Sequence, residues 1–263
     1  MKKQFSGRLR AGLMFLCLFV LSTSCEYLKD QEPHKNRSVH YGPEAALGQG
    51  TARAWIRMGP DGKPMAIGVD LSADALDGLP DEVKMYHVQL PQQATMTPYK
   101  TIMIDWNPHG HDPEEVYGAP HFDLHFYMIG DEERQLIPAG EHGHSPEFQA
   151  NYMPPTYFST MMSVPEMGVH WVDGMAPEIT GAEPFTRTFI YGAYQDKVIF
   201  YEPMFTLDYL KHLPAGKQQK MAVPQPPKVQ QSGEHPLSYT ITYRQNPGSY
   251  TIALTDLYYR KAK

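Results

Sequence analysis

Histidines are concentrated in one part of this chain. Seven of the twelve lie between His109 and His170, more than twice the number that an even distribution over 263 residues would give. Imidazole is the commonest metal ligand in proteins, and it exchanges protons near neutral pH. The concentration therefore predicts a metal-binding or catalytic centre in this segment.

The string His121-Phe-Asp-Leu-His-Phe-Tyr127 lies at the middle of this segment. Its aromatic content and the preceding Pro120 favour a strand, in which His121, Asp123, His125 and Tyr127 share one face. A rise of about 3.3 Å per residue places His121 roughly 13 Å from His125, so one ion with bonds of about 2 Å cannot easily bind both. We therefore expect Asp123 to pair with one of the two. In a helix, which the composition disfavours, the two histidines would meet at i, i+4.

Donors elsewhere in the chain complete the predicted site. We expect a divalent metal, with Zn²⁺ preferred, to be bound by two or three side chains of one set: His111, His121, Asp123, His125 and His170. Glu202 is a further candidate, as a ligand or as a general base that activates bound water. The order of donors resembles that of cupin metal sites by analogy only, because the spacing differs. The sequence identifies neither catalytic residues nor a substrate.

A second interpretation needs no metal. Histidines on strands are often hydrogen-bonded structural groups, and aromatic residues such as Tyr191, Tyr194 and Phe200 would then form core or line a groove for a small-molecule ligand. The protein would be a non-enzymatic ligand-binding or structural lipoprotein of the cell envelope. The histidine pair in Glu141-His-Gly-His144 lies in a glycine-containing segment that is more typical of a solvated loop.

The N-terminus has the pattern of an export signal. Four basic residues precede an apolar stretch, residues 11–21, which is too short to cross a bilayer because a spanning helix needs about 20 residues. Small residues then lead to Cys25, as in bacterial lipoprotein signals, although Ser22 stands where leucine is usual. We expect Cys25 to carry acyl chains such as palmitate, which would anchor the protein to the outer membrane or cell surface. Secretion with cleavage nearby is the alternative.

The charge and the cysteine count argue against several classes of protein. Removing residues 1–24 takes away four basic and no acidic residues, which changes the formal net charge from −6 to −10. A chain this negative is not expected to bind nucleic acid. With Cys17 in the signal and Cys25 acylated, the mature domain has no thiol for a disulfide, a nucleophile or a metal. Any metal ligands are therefore His, Asp, Glu or main-chain oxygen.

The remainder is predicted to be a single β-rich domain, residues 51–263, behind a polar tether at residues 25–50. Aromatic residues make up 12% of the chain, with 24 prolines and 21 glycines, a composition typical of strands and turns. The expected fold is mainly β, an antiparallel sandwich or barrel with a few short helices. The predicted strands are residues 51–58, 65–70, 83–90, 99–106, 121–129, 185–191, 197–201, 238–245 and 249–259.

Turns and short helices are predicted between these strands. Hairpins are expected across Asp61-Gly62 and across Asn246-Pro-Gly248. Helices are expected at residues 72–79, 145–151 and 205–213, with Ser145 in the N-cap position. Residues 214–236, which include several prolines, are expected to form a long extended loop.

Three segments resemble a family of uncharacterised secreted bacterial proteins that is related to a sigma-E-controlled protein from a thermophile. They are Trp106-Asn-Pro-His-Gly-His-Asp-Pro113, Pro120-His-Phe-Asp-Leu-His-Phe-Tyr127 and Gly168-Val-His-Trp-Val-Asp173. The stretch Leu47-Gly-Gln-Gly-Thr-Ala-Arg53 fits the same family, and the resemblance extends over residues 47–204. It implies an exported β-rich domain with a shared polar site at His111, His121, Asp123, His125 and His170, without an established activity.

Overall fold

The computed structural model describes residues 38–263, so the predicted signal peptide, Cys25 and the first part of the predicted tether lie outside the described residues. The strands are β1 (Ser38–Leu47), β2 (Gly50–Met58), β3 (Pro64–Ser72), β4 (Lys84–Val88), β5 (Thr101–Asn107), β6 (His121–Tyr127), β7 (Gly140–Glu141), β8 (Tyr157–Val164), β9 (Gly168–Asp173), β10 (Arg187–Tyr194), β11 (Lys197–Thr206), β12 (Gln219–Ala222), β13 (Gly233–Arg244) and β14 (Ser249–Arg260). The helices are α1 (Glu114–Tyr117), α2 (Asp131–Arg134), α3 (Pro146–Tyr152), α4 (Pro177–Thr180) and α5 (Leu207–Lys211), with 3-10 turns at Ala73–Leu76 and Gln92–Met96.

The strands form two antiparallel sheets. The first has six strands in the order β1-β2-β3-β14-β13-β12, and the second has eight in the order β4-β5-β6-β11-β10-β9-β8-β7. Both sheets are open, and they pack face to face as a sandwich. The expectation of a mainly β, antiparallel fold with short helices is confirmed. Of the two expected architectures, sandwich and barrel, the structure has the sandwich.

The main core lies between the two sheets. Alternate residues of β6, such as Phe122 and Phe126, point into it and pack in one cluster with Ile56, Val69 and Ile252 of the six-stranded sheet. These side chains are almost completely buried, and burial of that extent stabilises the fold by about 1.5–3 kcal/mol for each large apolar side chain.

The opposite face of the eight-stranded sheet, which we call the outer face, is also covered. Apolar side chains from loops and short helices, among them Tyr117, Ile137 and Phe185, pack against it in two smaller clusters. As a result all seven residues of β6 are buried, whereas an antiparallel strand with one solvated face would alternate. The polar row of β6 therefore lies inside the protein.

The structure differs from the sequence-based expectations in several elements. Strand β1 lies within the interval predicted to be a tether, and it pairs with β2. Strands β8 and β9 were not predicted, and the predicted loop at residues 214–236 contains β12 and the start of β13. Strand β1 lies at the edge of its sheet and is mostly exposed. Its sequence therefore lacks the apolar period from which a strand could be predicted.

The three predicted helices are found near their expected positions, the first as a 3-10 turn, whereas α1, α2 and α4 were not predicted. The Ser145 hydroxyl accepts a hydrogen bond from the main-chain NH of Phe148, which confirms Ser145 as the N-cap of α3. The helix predicted at residues 205–213 begins only at Leu207, because Phe205 and Thr206 continue β11. Within residues 38–263 no helix is long and apolar enough to cross a membrane.

Candidate metal centre

Neighbouring strands place a set of polar side chains together on the outer face. In the pairing of β5 with β6, Asp105 lies directly opposite Asp123, and Asn107 lies opposite His121. On the other side of β6, β11 pairs with it in a register that joins Tyr201 to Phe126 and therefore brings Glu202 beside His125.

A β-bulge and a glycine bring β9 and its His170 to the same place. The register of β10 with β11 shifts after Gly192, which faces Phe200 on one side and His170 on the other. A Cβ atom on Gly192 would lie 2.1 Å from the Phe200 ring. Because this position has no side chain, the ring lies over the strand, with its centroid 4.8 Å from that of His125 and 5.4 Å from that of His170.

The predicted residues fall into two groups rather than one. The outer cluster consists of His111, His121 and Asp123, and the inner cluster consists of His125, His170 and Glu202. In each cluster one potential ligand atom from every residue lies within 4.8 Å of the others. His121 and His125 are in different clusters, and Asp123 lies with His121, as the spacing along a strand requires.

In the outer cluster both imidazole rings present the same nitrogen to one carboxylate. Nδ1 of His121 lies 2.7 Å from the carbonyl oxygen of Ala119, and Nδ1 of His111 lies 2.9 Å from that of Asp112. A carbonyl oxygen only accepts hydrogen bonds, so each Nδ1 carries the ring proton. The Nε2 atoms lie 3.1 Å (His121) and 3.5 Å (His111) from the Asp123 carboxylate.

In a neutral ring, Nε2 then has a lone pair that faces the carboxylate. Such a contact needs a cation between the two groups, either a second ring proton or a metal ion. Protonating both rings would put two positive charges on His111 and His121, whose centroids are only 4.7 Å apart, and like charges at that distance disfavour each other. One metal ion between the three side chains would satisfy both contacts at once.

Asp123 is itself oriented by a neighbour. Nδ2 of Asn107 donates a hydrogen bond of 2.7 Å to Oδ2 of Asp123, while Oδ1 has no hydrogen-bond donor among the described residues. Burial acts to raise the pKa of Asp123, but the His111 and His121 rings beside it outweigh that effect and lower the pKa below its usual value. For His111 burial acts to lower the pKa, and the hydrogen bond and charge of Asp123 raise it overall. The Asp123 carboxyl group is therefore ionised.

In the inner cluster Glu202 lies between two histidines. Its Oε1 is 3.5 Å from Nε2 of His125, and its Oε2 is 3.6 Å from Nε2 of His170. On the other side of the His125 ring, Nδ1 lies 3.8 Å from Oδ2 of Asp105. His125 and Glu202 are buried, whereas the His170 side chain keeps 18% of its surface exposed.

Burial determines the protonation of the inner cluster. It lowers the pKa of His125 to about 3 and the pKa of His170 to about 4. It also raises the pKa of Glu202 well above its usual value, with further contributions from the charges of Asp123 and Asp105. Desolvation followed by repulsion from Asp123 likewise raises the pKa of Asp105. Both imidazoles are therefore neutral at neutral pH, which is the form that binds metals.

Buried polar atoms without hydrogen-bond partners are concentrated here. Five of those found among the described residues belong to these two clusters and Asp105: Oδ1 of Asp105, Oδ1 of Asp123, Nδ1 and Nε2 of His125, and Oε2 of Glu202. An unpartnered buried polar group costs roughly 1–3 kcal/mol, and native proteins contain few. This concentration makes the two clusters candidates for a binding site.

The other histidines of the segment do not join either cluster. His109 is exposed and contacts Asp81. His142 accepts a hydrogen bond from the main-chain NH of Gln195, and His144 packs against Trp171. Outside this segment, His235 is buried and contacts Tyr201 and Gln231.

Two functional candidates, Asp105 and Asn107, were missed in the sequence. Both lie on the same face of β5 as Met103, opposite the polar row of β6. The available signal was the acidic residue within the apolar run of residues 101–106, since an aspartate in a buried strand requires a partner. Their role depends on register, which the sequence of a single strand does not contain.

Comparison with known families gives one match. A family model described as "TTHB210-like: Hypothetical protein TTHB210" matches residues 59–106, less than a fifth of the chain. The chain is thus similar to an uncharacterised family over a segment from β3 and its preceding turn to β5, which includes Asp105 and Trp106 but ends before His111. Comparison with curated proteins and with solved structures finds no match.

Proposed function

We propose that this protein binds a divalent transition metal ion, Zn²⁺ by preference, through His111, His121 and Asp123. Two imidazole nitrogens and one carboxylate oxygen form a common ligand set for zinc, and three protein ligands leave a fourth position for water or a small-molecule ligand. Mg²⁺ and Ca²⁺ are disfavoured because they select oxygen ligands.

The observation that carries this proposal is the orientation of the two rings. In metal sites, a ligating histidine usually donates its other ring NH to a main-chain carbonyl or a carboxylate, which fixes the tautomer and the direction of the lone pair. His111 and His121 both have this arrangement, toward Asp112 and Ala119, and their free nitrogens point at one carboxylate.

Replacement of His111 tests the proposal with little risk to the fold. Its side chain is 39% exposed, so His111→Ala removes one ligand without opening the core. We expect its zinc affinity to fall by tenfold or more, measured by competition with a chelating dye on protein purified without a histidine tag. His109→Ala, two residues away and 74% exposed, is the matched control and should bind like the wild type.

The proposal fails on either of two results. One is wild-type protein that takes up no transition metal after stripping and reloading. The other is equal zinc affinity in His111→Ala and His109→Ala. Unchanged thermal unfolding of both metal-free variants shows that any difference in affinity comes from the ligand set.

We further propose that the chain is exported and anchored by acylation of Cys25. Support comes from the basic start, the short apolar stretch and the small residues before the cysteine. Cys25→Ser should abolish labelling by a palmitate analogue and move the protein from the detergent phase to the aqueous phase. Cys17→Ser, within the apolar stretch, is the control and should keep both properties. Labelling that persists in Cys25→Ser contradicts the proposal.

One observation favours a second function, the binding of an apolar ligand. A cavity of about 390 Å³ is lined by Ile129, Ile137, Tyr194 and Ile199, with Lys197 and Glu133 among its other residues, and such a volume is in the range of small-molecule sites. An apolar fluorophore should bind there with the metal absent, and Ile137→Trp, which fills the space, should prevent binding. Equal fluorescence in both proteins rules this function out.

A further inference from the structure

We infer that the inner cluster binds a second divalent metal ion, through His125, Glu202 and His170. This inference extends the proposed function from one ion to two. It uses none of the three ligands of the outer cluster, so each site can be tested without the other.

The distances are those of ligands around an ion rather than those of hydrogen bonds. Oε1 and Oε2 of Glu202 lie 3.5 and 3.6 Å from the Nε2 atoms of His125 and His170, beyond the usual length of about 2.9 Å for an N–H···O bond. Two ligands bonded at about 2.0–2.1 Å in tetrahedral geometry are separated by about 3.3 Å. Small movements of the side chains therefore complete the ligand set.

The buried polar atoms that lack hydrogen-bond partners also indicate a cation as the ligand. His125 and Glu202 are each 1% exposed. Neither nitrogen of His125 has a hydrogen-bond partner among residues 38–263, and neither has Oε2 of Glu202. A neutral imidazole and a carboxylate directed at the same point are both electron-pair donors, and a cation is the species that both can bind.

The buried carboxyl groups also suit a cation at the inner cluster. Three carboxylates, Asp105, Asp123 and Glu202, are buried close together, and in the described part of the chain their only ion-pair partners are histidines. Buried charges are normally paired or bound to metal. A dication between His125 and His170 would bind Glu202 in its ionised form and would give this buried carboxyl group the partner it lacks.

Asp105 lies where the supporting group of a metal-bound histidine is expected, although it is too far from His125 for a hydrogen bond in this structure. Its Oδ2 lies 3.8 Å from Nδ1 of His125, on the side of the ring away from Glu202. A carboxylate that accepts the Nδ1 proton orients the ring and directs its Nε2 lone pair to the metal. Asp105 also lies opposite Asp123, so it is placed between the two ions as a positioning residue.

The expected ligand is a borderline cation such as Zn²⁺ or Co²⁺, because two of the three donors are imidazoles. The partly exposed His170 is the point where it would enter. The rings of Tyr127 and Phe200 pack against His125 and keep the rest of the site apolar.

Stoichiometry tests the inference. Co²⁺ is titrated into metal-stripped, untagged full-length protein in detergent, and bound metal is counted by equilibrium dialysis while the visible absorption is recorded. We expect two equivalents in the wild type and one each in Glu202→Gln, His170→Ala and His111→Ala. His144→Ala is the matched control for a half-buried histidine near Trp171 and should bind two. Glu202→Gln keeps the shape of the side chain, so the test does not depend on the alanine variant folding.

The outcomes separate the two sites. One equivalent that His111→Ala removes and His170→Ala leaves overturns this inference while the proposed function stands. One equivalent that Glu202→Gln and His170→Ala remove and His111→Ala leaves supports the inner site and contradicts the outer one. Two equivalents that persist in both inner variants overturn the assignment, and so does wild-type protein that binds no metal.

Discussion

Asp123 is the residue on which the outer cluster converges. Its carboxylate contacts both histidines and also accepts a hydrogen bond from Asn107, whose amide is 3.5 Å from Nε2 of His121 as well. Asn107 therefore determines which carboxylate oxygen is free to bind a metal. If the proposed metal ion binds, a residue in this position would tune its affinity without touching it.

Removal of the Asn107 amide should weaken the outer site and leave the inner one intact. Loss of a group that orients a ligand typically lowers metal affinity by about 10–100-fold, and we expect Asn107→Ala to fall in that range for Zn²⁺. The measurement is competition with a chelating dye, together with the Co²⁺ stoichiometry at saturating metal, which should remain two. Asn151→Ala is the control, because that amide donates to the distant, exposed main chain of Glu147. Equal affinities in the two variants refute a positioning role for Asn107.

His121 and His125 show how neighbours decide the role of a side chain. Both are buried on the same face of β6. Nδ1 of His121 meets a carbonyl two residues away, whereas His125 has only carboxylates within reach of its two nitrogens. The first ring is fixed by its own chain, and the second depends on strands β5 and β11.

At the scale of elements, the turn before α1 places His111 beside Asp123 of β6. The main-chain NH of His111 donates to the carbonyl of Tyr117, which closes the turn. Gly110 makes this approach possible, since its φ is +72° and a Cβ atom there would lie 2.1 Å from the same carbonyl oxygen. Any larger residue must move the turn and His111 with it.

Substitution of Gly110 should therefore lower the metal affinity of the outer site by moving the backbone that carries His111. Gly110→Ala introduces both a steric clash and a left-handed conformation that costs alanine about 1–2 kcal/mol. We expect weaker zinc binding at the outer site, with unchanged binding at the inner site and a small decrease in thermal stability. Gly143→Ala is the matched control, because no atom lies within 4 Å of its added Cβ. If Gly110→Ala binds zinc as the wild type does, the turn does not position a ligand.

The elements that could be predicted from sequence are those with a regular apolar period. Strand β6 was found, and the separation of His121 from His125 followed from its geometry. Strands β8 and β9 were not found, because the pairing of β8 with β9 shifts between Ser159 and Ser163 and Met161 has a positive φ. The alternation of side chains is therefore interrupted where β8 pairs with the strand that carries His170.

At the scale of the whole molecule, the loops and short helices that cover the outer face explain why most of the candidate site is buried. The sequence predicted that His121, Asp123, His125 and Tyr127 share one face of a strand, but alternation within one strand does not show what covers that face. What covers that face is decided by distant segments, such as Tyr117, Ile137 and Phe185. The partnership of Glu202 with His125 and His170 likewise arises only when β6, β9 and β11 lie in one sheet.

The two sheets are also joined by a polar contact away from both clusters. His235 of β13, in the six-stranded sheet, has its Nδ1 3.1 Å from the hydroxyl of Tyr201 on β11, in the eight-stranded sheet. Its Nε2 lies 2.9 Å from the carbonyl of Gln231, so Nε2 carries the ring proton and the Tyr201 hydroxyl donates to Nδ1. The neutral ring is the form that fits this contact.

Stability should consequently decrease in mild acid. Burial lowers the pKa of His235, the Gln231 carbonyl opposes that shift, and the charge of Arg260 adds to it. The unfolded chain, with a histidine pKa of about 6.5, then binds a proton at a higher pH than the folded protein. The contribution of His235 to the free energy of unfolding is therefore fully present above about pH 6.5 and is lost as the pH falls below it. One such group contributes at most about 1.4 kcal/mol per pH unit.

His235→Gln isolates this contribution within the whole molecule. The glutamine amide keeps a donor for the Gln231 carbonyl but has no group that titrates, so the variant should unfold more easily at pH 7.5 and lose less stability between pH 6.5 and pH 5. Buried His125 and His170 produce a slope of the same sign in the metal-free protein, and they remain in both proteins, so the difference between the two curves belongs to His235. Denaturant unfolding of metal-free wild type and variant across this range provides the measurement. Parallel curves would show that His235 titrates alike in the folded and unfolded states, and its contact with Tyr201 would then add nothing to the pH dependence of sheet packing.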